Sequence, residues 1–332
     1  MEPELLMVPP LRSGGVMLGY QCNQSCRHCS YRCRPGAGEW MTRETLEQAL
    51  DLLAGERRLV DIHLAGGEPA LNPELLLEAV RLALGKGLRL SYVETNGFFA
   101  DTPEAARKLL APLKEAGLNA ILLSISPYHN EFLPLRRTLN CLEAAAEIFG
   151  QDGVFPWLGH FLPLLSRLYP EAAHPLSEFL EANGMAWGDR ELLRMFPLSP
   201  VGRAPEGLRD FFGPRPAEAY RKGHCLEMLT EVSHFHIDPY GNVFTGHCPG
   251  IVAGTLDRLH EEKTPDRNPV FTALALGGPF ALATLAEKAC GFRMDESGYA
   301  SPCDLCFQAR KALFDHDAAA WPELGPAVFY GS

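Results

Sequence analysis

Positive charge is in short supply along this chain: 30 Lys and Arg stand against 41 Asp and Glu, a formal net charge of −11 at pH 7. No Lys/Arg-rich run offsets it, so a duplex nucleic acid, which selects a basic surface, is not an expected partner. An export signal is missing as well. Met1-Glu2-Pro3-Glu4 is acidic where a signal peptide is basic, and no signal-type apolar stretch follows. A cytoplasmic protein is expected. Long uncharged runs are almost absent. The exception, Asn268 to Ala286, holds Gly277-Gly278-Pro279 at its centre, which predicts two short buried helices joined by a turn rather than a membrane span.

What the chain does have is 332 residues, 46% of them hydrophobic, enough for one large domain or a domain with an appendage. It also has ten cysteines. Without an export signal a disulfide framework is not expected, and clustered thiols point to metal binding or catalysis. Cys22, Cys26, Cys29 and Cys33 crowd the N-terminus; Cys225, Cys248, Cys290, Cys303 and Cys306 lie in the last third; only Cys141 sits between. Two groups of thiols imply two sites.

From about Gly15 to Ala204, short apolar runs alternate with helical periodicity. Strands are predicted at Val16–Tyr20, Leu59–Leu64, Leu88–Glu94, Ala120–Ser126, Phe155–Leu162 and Glu191–Phe196. Helices are predicted between them: one capped by Thr42, one ending near Leu84, then Pro103–Ala116, Leu135–Phe149 and Pro175–Ala182. Near-continuous apolar strands alternating with helices mean a parallel sheet covered by helices, either a six-unit barrel fragment or a doubly wound sheet. Polar residues recur at the C-terminal ends of the strands, where barrels build their sites, and this favours the partial (β/α)6 barrel. After Pro205 the pattern changes to a hairpin, Phe235–Ile237 and Asn242–Thr245 around Pro239-Tyr240-Gly241, and a helix opened by Cys303-Asp304-Leu305-Cys306. Two domains are expected: residues 1–204, an α/β partial barrel, and 205–332, a small cysteine-rich α+β tail.

Cys22-x3-Cys26-x2-Cys29 can fold three thiolates around one face of a four-iron cluster. Three ligands leave one iron open for a reactant, whereas Cys33 as a fourth would close the cluster. Zinc held by these cysteines and His28 is the other option that the spacing allows. In the tail, Cys303-x2-Cys306 with Cys225 and Cys248 makes a four-thiolate set able to close a second cluster or hold a structural zinc, and Cys290 is a core thiol or displaces one of the four.

The cysteine spacing after a first strand, followed by Gly66-Gly67-Glu68-Pro69 after a second, resembles the radical S-adenosylmethionine superfamily. The resemblance continues through Glu94-Thr95-Asn96-Gly97, Ser124-Ile125-Ser126 with His129 and Arg136, and Pro197-Leu-Ser-Pro200-Val-Gly202-Arg203-Ala204. It implies that Cys22, Cys26 and Cys29 ligate a [4Fe-4S] cluster whose open iron chelates S-adenosylmethionine. Gly66 and Gly67 let the backbone approach the ammonium, Glu68 adds negative charge, Asn96 and Ser124 hydrogen-bond, and Arg136 forks to the carboxylate. Pro69 completes that turn. Ser126 stands where tailed members commonly have aspartate. The tail resembles the abbreviated "twitch" form of the SPASM domain, implying a second [4Fe-4S] cluster on Cys225, Cys248, Cys303 and Cys306.

The activity implied is reductive cleavage of S-adenosylmethionine to a 5′-deoxyadenosyl radical, which takes hydrogen from a substrate, with the second cluster as electron acceptor in a dehydrogenase. An external one-electron reductant of flavodoxin or ferredoxin type is the expected partner; the substrate is a small molecule or a peptide. His129 is the leading catalytic candidate, with Arg203 and Tyr240 as further substrate contacts. His160 reads as a core histidine inside the fifth strand, and His234 and His236 as structural. Peptide maturation is the alternative, disfavoured by the roughly twenty residues before Cys22; a zinc-binding interaction protein is the alternative of another class.

Overall fold

The computed structural model describes residues 6–196 and 198–331; the acidic residues 1–4 and Pro197 of the last motif lie outside them. The N-terminal part alternates as expected: β1 (Ser13–Met17), α1 (Arg43–Gly55), β2 (Asp61–Ala65), α2 (Pro73–Gly85), β3 (Leu90–Thr95), α3 (Pro103–Glu115), β4 (Ile121–Ser124), a short α4 (Pro127–Asn130), α5 (Leu135–Phe149) and β5 (Val154–Trp157). Helix starts follow capping chemistry. Thr42, Asn72 and Thr102 each accept the backbone N–H three residues on, and proline opens α2 and α3. Neighbouring strands from β1 to β5 pair in parallel, and one face of each strand, such as Ile62 and Leu64 or Ile121 and Leu123, is buried in the main core.

The fifth and sixth predicted strands need correction. β5 stops at Trp157, and His160 lies in the turn beyond it, exposed, with Nε2 2.9 Å from the Met195 carbonyl. It is not a core histidine. Beyond α6 (Leu162–Leu165) and α7 (Leu176–Ala182), the residues expected as strand six form α8 (Glu191–Met195). Glu-Leu-Leu-Arg-Met contains no β-branched residue and only good helix formers, and Arg194 pairs with Glu191 one turn back.

The tail supplies what that missing strand does not. Three short helices follow, α9 (Ala204–Gly207), α10 (Arg209–Phe212) and α11 (Leu226–Leu229), and then β6 (Phe235–Ile237), β7 (Asn242–Phe244) and β8 (Gly254–Thr255). β6 joins the free edge of β1 in parallel, giving one sheet in the order β5-β4-β3-β2-β1-β6-β7-β8. The hairpin turn falls at Gly241 (φ +76°), as the sequence indicates. α12 (Pro269–Cys290) packs on α13 (Pro302–Asp317), with α14 (Ala327–Tyr330) near the end. α12 is long and apolar enough to cross a membrane, yet it breaks at Gly278 (φ 64°, ψ −163°) before Pro279, and both its halves bury side chains in the core. Its first turn is capped from afar: the Glu323 carboxylate accepts the N–H groups of Val270 (2.9 Å) and Phe271 (2.7 Å).

Gly15 decides how β1 can be flanked on both sides. It pairs with His63 of β2 and with His236 of β6, whose Nε2 atoms meet at 3.3 Å across it. A Cβ there would stand 2.5 Å from His63 Nε2 and 2.7 Å from the His236 ring. Gly15→Ala is expected to cost about 1–3 kcal/mol as an overpacking change. A urea midpoint lowered at constant m-value would register it; an unchanged midpoint would show that the rings yield freely.

Candidate functional site

The loop after β1 carries the first cysteines and is held from two directions. From the β2 exit, Gly67 N–H donates to the Gly19 carbonyl (2.8 Å) and Glu68 N–H to that of Gln21 (2.9 Å). A Cβ on Gly67 would lie 2.0 Å from the Gln21 oxygen, so only glycine lets these chains meet. From the far end of the barrel segment, Arg203 donates Nη1 to the Cys26 carbonyl (2.8 Å), Nη2 to that of Cys33 (3.0 Å), and its own N–H to that of Cys29 (3.0 Å). Arg203 is therefore a brace for the cysteine loop, where the sequence suggested a substrate contact.

Glu68 also does something other than expected. Its buried carboxylate accepts from Ala70 N–H (3.0 Å), Thr95 Oγ1 (2.8 Å) and Asn96 N–H (2.7 Å), tying the β2 exit to the β3 exit. Burial pushes its pKa up to about 7, against the pull of those donors. Pro69 opens the turn beside it. Asn96 is brought to the cysteines: Nδ2 donates to Asn23 Oδ1 (2.8 Å) and lies 3.9 Å from Cys22 Sγ. Gly66 (φ +149°) lies against Gly19, where a Cβ would stand 2.8 Å from the Gly19 carbonyl oxygen.

The residues after β4 converge on the same loop. Ser126 caps α4, and its Oγ lies 2.7 Å from His129 Nδ1. The His129 ring stands edge-on to buried His28 at 4.9 Å, and His28 also packs on Tyr128 and Phe196. Burial holds the His129 pKa down at about 4. Ser124, Ser126 and His129 line a cavity of about 10 Å³, room for one water and no substrate. Arg136 is placed elsewhere, in a surface ion pair of Nε with Glu171 (2.7 Å, both side chains nearly half exposed). Tyr240 is exposed near Gly38 and Glu39.

The donor set of this loop suits a metal cluster. Cys22, Cys26 and Cys29 sit within Coulombic reach of one another. The Cys29 thiol is lowered to about 6, first by its hydrogen bond with Cys33 and then by Arg203, while Cys33 is pushed up. Burial raises Cys22 to about 12 and Cys26 above its usual range, so loading must displace protons. Gln24 Nε2 and His28 Nδ1 are buried beside them without partners. Among the described residues no three Cys, His, Asp or Glu side chains are gathered as tightly as a single ion requires.

The tail brings four thiols into a second group. Cys225 precedes α11, Cys248 follows β7, and Cys303 and Cys306 lie in the first turn of α13. Each of the other three charges opposes ionisation of Cys248, and burial raises all four, Cys225 and Cys303 to about 12. Cys290, at the end of α12, turns its Sγ to the Ala286 carbonyl (3.1 Å). Asp304 is a structural cap that accepts from Ala300 N–H and Gln308 Nε2. The two groups are joined side to side: the Arg32 guanidinium lies 4.8 Å over the Phe307 ring, one residue from Cys33 on one side and from Cys306 on the other.

Sequence reasoning missed a polar row on the sheet face away from the main helices. His63 Nε2 stands 3.6 Å from Glu94 Oε1, His63 stacks on Tyr92 (5.0 Å), and Tyr31 packs on His236 (5.0 Å). Leu122 and Ser124 continue this face half-buried, and Phe155 and Trp157 of β5 are exposed on it. The available signal was a lone His63 and paired Gly14-Gly15 inside otherwise apolar strands.

Residues 16–160 match the Radical SAM superfamily profile, and that stretch of the chain is such a domain. Molybdenum cofactor biosynthesis protein 1 of Mus musculus and that of Homo sapiens are each 31% identical over 131 residues, 37% of this chain. The match spans only about a fifth of those relatives, 19% of their length. Among solved structures, BtrN in complex with AdoMet and 2-DOIA aligns with a TM-score of 0.44 at 17% identity, covering 76% of this chain and 81% of that one. Native anSMEcpe with bound AdoMet and Cp18Cys peptide gives 0.40 at 16% identity, covering 94% and 98%.

Two measurements address this geometry. Gly67→Ala is expected to push the loop off the β2 exit and lose iron from the first centre while sparing the tail; full iron retention would show the close approach to be dispensable. For His129, burial disfavours the charged ring, so its stabilising neutrality is present above pH 6.5 and is lost as pH falls toward 4. Imidazole NMR should find it neutral at pH 6, and a midpoint at 6.5 would mean a solvated ring.

Proposed function

We propose that this radical S-adenosylmethionine protein is a dehydrogenase acting on a small hydroxylated substrate, with the tail's four thiolates holding an electron-accepting cluster. The observation that carries this reading is the second convergence of cysteines, joined to the first loop through Arg32 and Phe307.

Cys22, Cys26 and Cys29 would hold a four-iron cluster, which would supply the electron for reductive cleavage of S-adenosylmethionine. The chain's own residues do the positioning. Arg203 and Gly67 fix the loop, and Asn96 offers a neutral hydrogen bond beside Cys22. The face carrying Tyr92, Glu94, Ser124 and Trp157 is where a substrate meets the strand ends. Glu94 Oε1, 3.6 Å from His63 Nε2 on that face, is the carboxylate placed to take a hydroxyl proton. Cys225, Cys248, Cys303 and Cys306 would hold a cluster whose chemistry is the uptake of one electron. A flavodoxin- or ferredoxin-like reductant and a reducing, cytoplasmic setting complete this reading, consistent with ten unpaired cysteines.

Iron and zinc should be measured on anaerobically reconstituted protein beside a variant with Cys22, Cys26 and Cys29 changed to Ala. About eight irons per chain are expected, falling to about four in the variant. 5′-Deoxyadenosine should form from S-adenosylmethionine and dithionite only in the former. Stoichiometric zinc with negligible iron would sink the enzyme reading, and about four irons falling to none would remove the electron-accepting tail.

A further inference from the structure

Arg310 lies one turn after Cys306 on α13, so the two share a helix face. It is 5% exposed. Its Nη1 donates to the Pro249 carbonyl (2.9 Å) and to Tyr330 Oη (2.8 Å), and the rings of Phe307, Phe329 and Tyr330 surround the guanidinium at 5.7–5.8 Å. Its Nε is buried without a partner. Among the described residues no carboxylate offsets its charge; the groups that favour the cation are Tyr330, Cys306 and Cys248. A guanidinium does not deprotonate to escape burial, and an uncompensated buried charge is strongly disfavoured. Something anionic therefore belongs beside it, and among the described residues the thiols of Cys306 and Cys248 stand next to it with the Tyr330 hydroxyl.

We propose that Arg310 is the buried counter-charge of the tail's four-cysteine centre, holding it in the ionised, metal-loaded form and raising its reduction potential. This deepens the function proposed above and rests on it. The guanidinium sits on the helix face of Cys306 and grips the carbonyl of Pro249, the residue after Cys248, so its charge stands against the tail's thiols. A four-thiolate cluster is already anionic, and one added electron makes it more so. A fixed cation in a dry, aromatic wall stabilises the reduced state more than the oxidised one, which moves the potential upward. Phe307 also touches Arg32, so the same wall faces the first cysteine loop.

The test uses the full chain with Cys22, Cys26 and Cys29 changed to Ala, so that only the tail centre remains. Into it go Arg310→Lys, which keeps the charge, and Arg310→Met, which keeps the bulk. Folding is checked by circular dichroism, iron by assay, and potential by titration followed by electron paramagnetic resonance. Arg310→Lys should keep its iron and a potential close to that of the Arg310 protein. Arg310→Met should either lose iron that Arg310→Lys keeps, or hold it with a reduced-to-oxidised ratio at least tenfold lower at the original midpoint, 59 mV for one electron. An unchanged midpoint in iron-loaded Arg310→Met, or equal iron loss from both variants, would overturn the proposal. No iron in the tail with Arg310 intact would instead remove the cluster reading on which it rests.

Discussion

The Gln21 carbonyl occupies the space where a Cβ on residue 67 would stand, and the geometry of the strand ends descends from that contact. Because the backbone after β2 lies directly on the cysteine loop, the loop cannot pivot away from the sheet. Glu68 then carries the constraint sideways, since its carboxylate fixes Thr95 and Asn96 at the end of β3, and Asn96 reaches back to Asn23 beside Cys22. Arg203 closes the loop from the opposite side, gripping the carbonyls of Cys26, Cys29 and Cys33. A cysteine triad on an untethered loop would otherwise lose much conformational entropy on ordering around a ligand; here the fold has ordered it in advance.

The same contact explains why the motif residues were easy to find and hard to interpret. Gly66-Gly67-Glu68-Pro69 stands out because ordinary residues do not fit there, but the neighbour that excludes them is the protein's own backbone. Strand and helix identities through β5 were legible because caps such as Thr42 and Thr102 and the apolar periodicity agree. Glu191–Phe196 failed because strand six was inferred from counting repeats, while the residues themselves favour a helix. Arg136 was misplaced for another reason: an arginine after a strand reads alike whether it faces a ligand or Glu171.

What stayed hidden was mostly long-range. His63 and His236 are 173 positions apart, and only the parallel docking of β6 on β1 brings them together over Gly15. No local pattern announces that a tail strand will complete the edge of an N-terminal sheet. That edge matters, because the segment after β7 carries Cys248, so the strand docking joins the tail's thiols to the sheet that carries the first loop. The two cysteine groups are thus parts of one framework, however the chain is divided into domains.

Two arginines serve these groups differently, and the difference follows from what each guanidinium touches. Arg203 spends its donors on peptide carbonyls, so its main effect is positional; its charge helps the cysteines only across space. Arg310 has one carbonyl and one phenol for its donors, a free Nε, and aromatic walls that keep water out. The first geometry holds a loop still while leaving room for a ligand at an open position. The second places a permanent charge beside the tail's thiols, where it acts through its field rather than by fixing a loop. In a chain carrying a net charge of −11, an interior cation that no carboxylate among the described residues pairs with makes physical sense next to a centre that is itself negative.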